Sequence, residues 1–334
     1  MEFGLALPLL FGLIAVALAF DFLNGMNDAA NAIATVVSTR VLSPQLAVLW
    51  AAFFNFIAFL VFGLHVAETV GRRIVEANII NARVIFAALT GALAWQIVTN
   101  RLGIPSSSSH ALIGGLVGAA IAKAGLSAVI WAGIWKTVAG IVLAPGLGCL
   151  TALLLMLLVS WVFVRYTPFA ADRLFRHAQL FSASLYALGH GGNDAQKTMG
   201  IIAVLLYSEG YTGAEFHVPY WVVLACQFAM ALGTLAGGWR IVKTMGSKIT
   251  RLTPMQGCCA ETGGSIMLFA ATELGVPVST THTITGCIIG VGAARRVSAV
   301  RWGIAREIVT AWIVTIPAAA TIAAISFFAV GLIP

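Results

Sequence analysis

The chain has 334 residues and a formal net charge of +7 at pH 7, and it is 60% hydrophobic but only 9% charged. A soluble globular domain carries about 25% charged residues, so this chain cannot cover a water-facing surface, and hydrocarbon must contact much of it. Its Lys and Arg residues form short clusters between apolar runs, as expected of charges that orient a membrane protein, and no basic stripe with interleaved aromatic residues indicates a nucleic-acid partner.

Apolar segments follow one another along the chain, and most approach the length of about 20 residues that a membrane-spanning helix needs. Because lipid leaves the backbone no partner except its own groups, each segment is predicted to be helical. The first run leads straight to Asp21 without a basic leading segment, which favours a retained span over a signal peptide. The predicted segments are residues 4–22, 27–40, 45–66, 84–100, 107–122, 128–165 (broken near Pro145-Gly146), 178–190, 195–207, 218–238, 256–272, 281–294 and 303–332.

The segments at 107–122 and 281–294 are shorter than the others. With the segments before them, they predict either full crossings or re-entrant hairpins. The sequence leaves both alternatives open.

An internal repeat divides the chain into two related halves. Residues 25–29 (Gly-Met-Asn-Asp-Ala) recur as residues 191–195 (Gly-Gly-Asn-Asp-Ala), and residues 102–110 recur as residues 274–282, both running from Leu-Gly through Pro to hydroxyl residues and His. Two motifs in the same order at nearly the same separation indicate a duplicated unit. The predicted organisation is a first transmembrane repeat at 1–165, a polar cytoplasmic linker at 166–177 and a second transmembrane repeat at 178–334.

Basic residues in matched loops indicate how the two halves are oriented. The loop near Arg40 is basic, whereas its counterpart at 208–217 contains two Glu residues and no Lys or Arg. The stretch at 121–127 contains only Lys123, whereas its counterpart carries three Arg residues. Matched loops are therefore expected on opposite sides of the membrane. This predicts an all-α polytopic membrane protein made of two inverted-topology repeats, with broken helices or re-entrant hairpins meeting near the midplane.

An Asn-Asp pair lies between apolar runs in each half. A charged side chain at mid-bilayer costs about 2.5–3.5 kcal/mol on insertion scales, so the simplest interpretation of a single Asp is a loop or cap at a membrane surface. The motif is duplicated, however, and its glycines predict that the helix unwinds there to line a polar cavity. Carboxylate and amide oxygens are ligands for small cations, so the predicted cation ligands are Asn27, Asp28, Asn193 and Asp194, with Asp28 and Asp194 holding the ion.

A run of hydroxyl residues followed by His comes shortly after Pro105 and Pro277. The simplest interpretation is an ordinary N-cap, which needs one residue. Each half supplies at least three consecutive hydroxyls, and a helix N-terminus is already an anion site. The predicted oxyanion ligands are Ser107, Ser108, Ser109, Ser279, Thr280 and Thr281. His110, His282 and Lys197 are further candidates, although both histidines can equally pack and Lys197 can reach a membrane surface.

Two more polar residues interrupt apolar segments. Glu261 and Gln96 both lie in runs that are otherwise apolar. An ionisable residue inside a membrane is a functional candidate by default, so Glu261 is predicted to bind a cation or carry a proton, and Gln96 is added to the predicted cation ligands.

These motifs resemble the paired signatures of the inorganic phosphate transporter (PiT) family. The resemblance covers essentially the whole chain, with Gly25–Ala32 and Gly191–Lys197 as one pair of motifs and the Pro-hydroxyl-His elements as the other. It implies symport of inorganic phosphate with Na⁺ or H⁺, no cofactor beyond that ion, phosphate contacts at the hydroxyl motifs, and a homo-oligomer, with a dimer expected. Eukaryotic relatives place a glutamate where this chain has Asn55, while the second-half glutamate is kept as Glu261, which leaves the coupling ion open.

The leading hypothesis is therefore a multi-pass symporter of the inner membrane with its N-terminus outside, not an enzyme, with a cytoplasmic regulator as a further possible partner. No Gly-x-x-x-x-Gly-Lys-Ser/Thr loop is present, so this chain does not use ATP. The rivals are a permease for sulfate or another oxyanion, an anion channel, and an intramembrane enzyme. The duplicated arrangement disfavours the last, because it offers no single catalytic centre.

Overall fold

In the computed structural model, which describes residues 6–213 and 215–332, the chain forms twelve α-helices. They are α1 Leu7–Ser38, α2 Pro44–Ile57, α3 His65–Arg72, α4 Ala82–Leu102, α5 Ser108–Ala124, α6 Trp131–Val162, α7 Pro168–Ser208, α8 Tyr220–Ala236, α9 Trp239–Lys243, α10 Pro254–Glu273, α11 Thr280–Arg295 and α12 Trp302–Val330. No β-strand occurs within these two ranges. The prediction of an all-helical chain is confirmed.

Four of these helices, α1, α4, α6 and α12, are each long and apolar enough to cross a membrane alone. Two bent pairs raise the number to six if each pair counts as one span: residues 44–60 with α3, bent by 81°, and α8 with residues 239–248, bent by 62°. A chain with several such helices is a multi-pass membrane protein, as predicted.

Three predicted helix breaks are wrong, because α1, α6 and α7 each run without interruption through the expected break. The motif glycines provide close packing instead of unwinding. A Cβ built on Gly25 would lie 2.1 Å from the Met230 carbonyl oxygen, and one on Gly191 would lie 2.5 Å from that of Asn55. Pro145 stays inside α6, as proline does in membrane helices when neighbouring helices accommodate the local change.

The predicted linker is largely helical. Thr167 caps α7, which begins at Pro168 and continues through residue 178, where the second repeat was predicted to start. The division of the chain into two repeats joined at 166–177 therefore remains a prediction from the sequence repeat, and in the fold most of this segment is the first part of α7.

The helices pack as two similar groups around a central set. Helix α12 packs on the α4–α5 hairpin and α6 packs on the α10–α11 hairpin, while α1, α2, α7 and α8 pack against one another. Both hairpins turn through a left-handed glycine, Gly103 with φ +67° and Gly275 with φ +60°. These matched turns place the start of α5 and the start of α11 in the protein interior.

Helices α1 and α7, which carry the duplicated Asn-Asp motifs, run antiparallel. Thr39, just after α1, donates a hydrogen bond of 2.9 Å to Gln179 near the start of α7. The middle of α1 meets the middle of α7, where carboxylate oxygens of Asp28 and Asp194 lie within 4.8 Å of each other. An inverted repeat requires its matched helices to be antiparallel, and the inversion of the two halves as wholes remains a prediction.

Candidate functional site

The starts of α5 and α11 are capped by the first hydroxyl of each run. Ser107 Oγ accepts a hydrogen bond of 3.2 Å from the His110 amide, and Ser279 Oγ accepts one of 3.3 Å from the His282 amide. These two serines therefore serve as N-caps, which is the simplest role expected of such a hydroxyl. The hydroxyls that follow them are free to make other contacts.

Asp28 receives one hydroxyl from each half of the chain. Ser108 Oγ donates to Asp28 Oδ2 at 2.6 Å, and Thr281 Oγ1 donates to Asp28 Oδ1 at 2.9 Å. Asp28 is 2% exposed. A motif in α1 thus meets hydroxyls from both hairpin helices, so the three sequence elements form one site.

Asp194 has a different set of partners. Thr280 Oγ1 donates to its Oδ2 at 2.7 Å, and the Lys197 ammonium group contacts its Oδ1. Lys197 also donates to Ser109 Oγ and to the Val278 carbonyl oxygen. Lys197 therefore provides a buried positive charge within the site and does not reach a membrane surface.

The first half has Asn31 where the second half has Lys197. Asn31 Nδ2 donates to Thr280 Oγ1 at 3.1 Å and to Thr281 Oγ1 at 3.0 Å. Among the described residues, no Lys or Arg forms an ion pair with Asp28. The two aspartates are thus matched in sequence but not in electrostatic environment.

His190 completes the polar centre, although its position one turn before Asp194 was not recognised in the sequence. Its Nδ1 lies 3.1 Å from Asn55 Oδ1, which can only accept, so Nδ1 carries a hydrogen. A neutral His190 then directs the lone pair of Nε2 at Asp194 Oδ2, 3.2 Å away. Two lone pairs facing each other in a buried site require a positive charge between them, either a proton on Nε2 or a bound cation.

Asp28, His190 and Asp194 can hold a cation together. Each offers one ligand atom, and these three atoms lie within 4.8 Å of one another in a buried position. A cation placed among them would be bound by two carboxylate oxygens and one imidazole nitrogen. It would supply the positive charge that the His190–Asp194 contact requires.

The two motif asparagines point toward the hairpin helices. Asn27 Oδ1 accepts a hydrogen bond from Asn100, and Asn193 Nδ2 donates to Thr272 Oγ1 at 3.0 Å. The pairs are matched in the two halves, since each links a motif helix to the last turns of the helix before the hydroxyl run. In this structure the side chains of Asn27 and Asn193 therefore position the motif helices and form no hydrogen bond with the carboxylates of Asp28 and Asp194.

Glu261 lies in a separate polar cluster. Its carboxylate accepts hydrogen bonds from Gln179 Nε2, at 3.0 Å, and from Ser182 Oγ. Gln96 is buried, and neither its Nε2 nor its Oε1 has a hydrogen-bond partner among the described residues. Neither residue shares a hydrogen bond with the central aspartates, so the structure does not place them in one cation shell with Asp28.

The two histidines pack behind the site. The His110 and His282 rings are 4.4 Å apart and edge to face, and His282 stacks on Trp312 at 3.6 Å. Their ring nitrogens make no hydrogen bond of ordinary geometry to any described residue. His110, Pro145 and Trp312 line an apolar crevice of about 460 Å³ between α6 and α12. Of the two roles considered for these histidines, the structure shows packing.

Comparison with known proteins gives concordant results. The profile of the Phosphate transporter family matches residues 24–323. A protein of Rhizobium meliloti (strain 1021), named a probable low-affinity inorganic phosphate transporter, is 71% identical over 333 residues. The matched region covers 100% of this chain and 100% of that protein. A protein of the same name from Bacillus subtilis (strain 168) is 42% identical over 323 residues, which cover 96% of this chain and 97% of that protein. The solved structure of a sodium-dependent phosphate transporter superposes with a TM-score of 0.89 at 24% identity, covering 98% of this chain and 100% of that chain.

Proposed function

Because the chain belongs to the phosphate transporter family, we propose that it is a symporter that carries inorganic phosphate across a cell membrane together with a cation. Phosphate is the substrate of the family, and the role is transport rather than catalysis. Na⁺ is the coupling ion best supported by the carboxylate and hydroxyl oxygens around Asp28, since such hard oxygen ligands suit a small cation.

One observation carries this proposal: the hydroxyls expected to bind the anion donate to the two aspartates instead. Ser108 and Thr281 donate to Asp28, and Thr280 donates to Asp194. Phosphate oxygens need the same donors that the carboxylates occupy. The anion and the carboxylates therefore compete for the hydroxyls.

A cation resolves this competition. When it binds Asp28, it weakens the hold of the carboxylate on Ser108 and Thr281, and it reduces the repulsion between Asp28 and an incoming anion. Phosphate alone would face an uncompensated carboxylate at Asp28, whereas a cation bound there neutralises that charge before the anion arrives. Binding of the two together is favoured, which is the thermodynamic requirement for symport.

Lys197 makes the two aspartates unequal in this mechanism. Its ammonium group already contacts Asp194, so an external cation at Asp194 Oδ1 would have to displace it. We therefore take Asp28 as the main ligand of the exchangeable cation, with His190 and Asp194 completing the ligand set, and we assign Lys197 to the phosphate as a fixed positive charge.

A cation gradient can supply the necessary energy. A membrane potential of 100 mV is worth about 2.3 kcal/mol for each net charge moved. Because about 1.4 kcal/mol corresponds to a factor of ten, one net positive charge per cycle supports a roughly fiftyfold phosphate gradient.

The orientation follows from the basic loops. Arg40 lies just beyond the C-terminal end of α1, and a basic residue there supports a cytoplasmic position for that end and an outside position for the N-terminus. The proposal therefore describes an inner-membrane protein with its first residues outside, and a homodimer is the assembly that the family resemblance implies. Lys and Arg near the cytoplasmic ends also offer contacts for a cytoplasmic regulator.

Uptake of ³²P-labelled phosphate into proteoliposomes, with Na⁺ and pH gradients imposed separately, tests this function. Uphill accumulation and counterflow are expected under an inward Na⁺ gradient, whereas a channel would show neither. If accumulation follows only the pH gradient, the coupling ion is H⁺ and Na⁺ is wrong. Unlabelled sulfate should compete poorly, because sulfate carries no proton at neutral pH to donate to a carboxylate, and strong competition would identify a general oxyanion permease.

A further inference from the structure

A second buried carboxylate, Asp21, lies on the same helix as Asp28 and takes no part in the site described above. The two residues are seven positions apart on α1, which is almost two full turns, so they share a helix face and their Cα atoms are about 10 Å apart along the axis. Asp21 is completely buried. A carboxylate at such a position requires a compensating partner.

The neighbours of Asp21 come from three helices. Asn24 lies on α1 one turn further along, Thr198 lies on α7 one turn beyond Asp194, and Cys226 lies on α8. The side chains of all three are close enough to interact with the Asp21 carboxylate. Each of them is at most 1% exposed. The structure thus provides a small, closed polar cluster around Asp21.

The hydroxyl, amide and thiol groups around Asp21 interact with its carboxylate but do not reach ordinary hydrogen-bond geometry. Four buried oxygen atoms have no hydrogen bond of ordinary geometry with any described residue: Asp21 Oδ1, Asp21 Oδ2, Asn24 Oδ1 and Thr198 Oγ1. Lys197, the residue before Thr198, directs its ammonium group at Asp194, Ser109 and Val278 and not at Asp21. The cluster therefore combines a negative charge with several acceptor oxygens and lacks a positive charge.

We propose that Asp21, Asn24 and Thr198 form a second cation site, which takes Na⁺ on its way between the outer side of the membrane and Asp28. A desolvated Na⁺ among these oxygens would compensate the Asp21 charge and satisfy the unpartnered acceptors together. The site lies toward the N-terminal end of α1, the end that the symport proposal places outside. The role of this site in transport rests on the symport proposal, whereas the binding of Na⁺ at Asp21 does not.

The repeat also indicates that this site belongs to one side of the protein only. The positions that correspond to Asp21 and Thr198 in the other half are Ala187 and Ala32, which have no ligand atoms in their side chains. A pseudo-twofold operation therefore does not generate a second copy of the cluster.

Binding of ²²Na⁺ to the purified full-length chain, measured without phosphate, tests the site independently of uptake. Asp21→Asn should remove one Na⁺ per chain, and Thr198→Val, which keeps side-chain size, should raise the Na⁺ Kd at that site by about tenfold. Asp172→Asn is the matched control, because Asp172 is a half-exposed residue paired with Arg176 at the surface. It should bind as much Na⁺ as the wild type.

Equal Na⁺ stoichiometry and affinity in the wild type, Asp21→Asn and Thr198→Val would overturn the proposal. So would a wild type that binds no ²²Na⁺ and releases a proton from Asp21 on alkaline titration, since the carboxylate would then be a protonated group. If Asp21→Asn does not elute as a folded species on size exclusion, the Na⁺ Kd of Thr198→Val becomes the deciding measurement. If the wild type binds Na⁺ at Asp21 but takes up no phosphate, symport is wrong while the cation site stands.

Discussion

The Lys197 ammonium group is buried against the Asp194 carboxylate three residues earlier on α7, with side-chain exposures of 2% and 0%. The equivalent position in α1 holds Asn31, which donates to Thr280 and Thr281, and no Lys or Arg among the described residues pairs with Asp28. The duplicated motif therefore provides one aspartate with a permanent positive charge and another that must obtain it from outside. This difference determines what each substitution in the site should do.

Replacing Lys197 with Met should destabilise the protein and should make it depend on Na⁺. Removing one partner of a buried ion pair costs about 3–5 kcal/mol, because the other charge remains uncompensated. High Na⁺ should recover part of the loss by placing a cation at Asp194. The measurement is the Tm of the detergent-solubilised variant in Na⁺ and in choline buffers. Lys243→Met, at an exposed position on α9, is the control and should show no Na⁺-dependent change.

The Lys197 prediction is contradicted if the variant has the Tm of the wild type in both buffers. A further check is the double variant Lys197→Met/Asp194→Asn, which removes both charges of the ion pair. Its Tm should be higher than that of Lys197→Met alone, since no unpaired carboxylate remains.

Asp28→Asn should abolish phosphate uptake while leaving the fold intact. The amide keeps the shape of the carboxylate but not its charge, so the cation loses its main ligand and coupling is lost. We expect a fall of about a hundredfold or more in initial uptake rate, equivalent to at least about 2.7 kcal/mol, and a Tm near that of the wild type. Initial rates in proteoliposomes with matched protein content provide the measurement, and Asp172→Asn should retain full uptake. Full activity of Asp28→Asn would remove Asp28 from the mechanism.

The aspartates and the hydroxyl runs could be predicted because each breaks an apolar pattern and each occurs twice in the sequence. The continuous helices could not, since a glycine beside a polar pair permits either unwinding or close packing, and only the approach of Met230 to Gly25 distinguishes them. His190 was missed because one histidine near a helix motif carries no signal until Asn55 fixes its tautomer. Glu261 was predicted to bind a cation or carry a proton, and a sequence cannot show that its hydrogen-bond partners are Gln179 and Ser182.

Two neighbouring serines should respond differently to alanine. Ser108→Ala removes a donor to Asp28, and the loss of one hydrogen bond to a charged group, worth about 1.5–3 kcal/mol, should raise the KM for phosphate by about tenfold or more. Ser107→Ala removes the α5 cap, which should cost about 1 kcal/mol of stability and leave KM nearly unchanged. Uptake kinetics and Tm, measured on both variants, separate the roles. Equal effects on KM would show that Ser107 also contacts the anion.

Alanine at the motif glycines should disrupt packing between α1 and α8 and between α7 and α2. A Cβ at Gly25 would lie 2.1 Å from the Met230 carbonyl oxygen, and one at Gly191 would lie 2.5 Å from that of Asn55. Backbone atoms cannot rotate away as a side chain can, so the helices must separate, at a cost of about 1–3 kcal/mol or more.

Gly12 on α1 is the control, because no atom lies within 4 Å of a Cβ added there. Gly12→Ala should be neutral or slightly stabilising, since alanine favours helix more than glycine. The Tm of Gly25→Ala and Gly191→Ala should therefore fall below that of Gly12→Ala. Equal Tm values for the three would mean that the glycines are not needed for helix contact, and a role in local unwinding during transport would then be the better explanation of their presence beside Asp28 and Asp194.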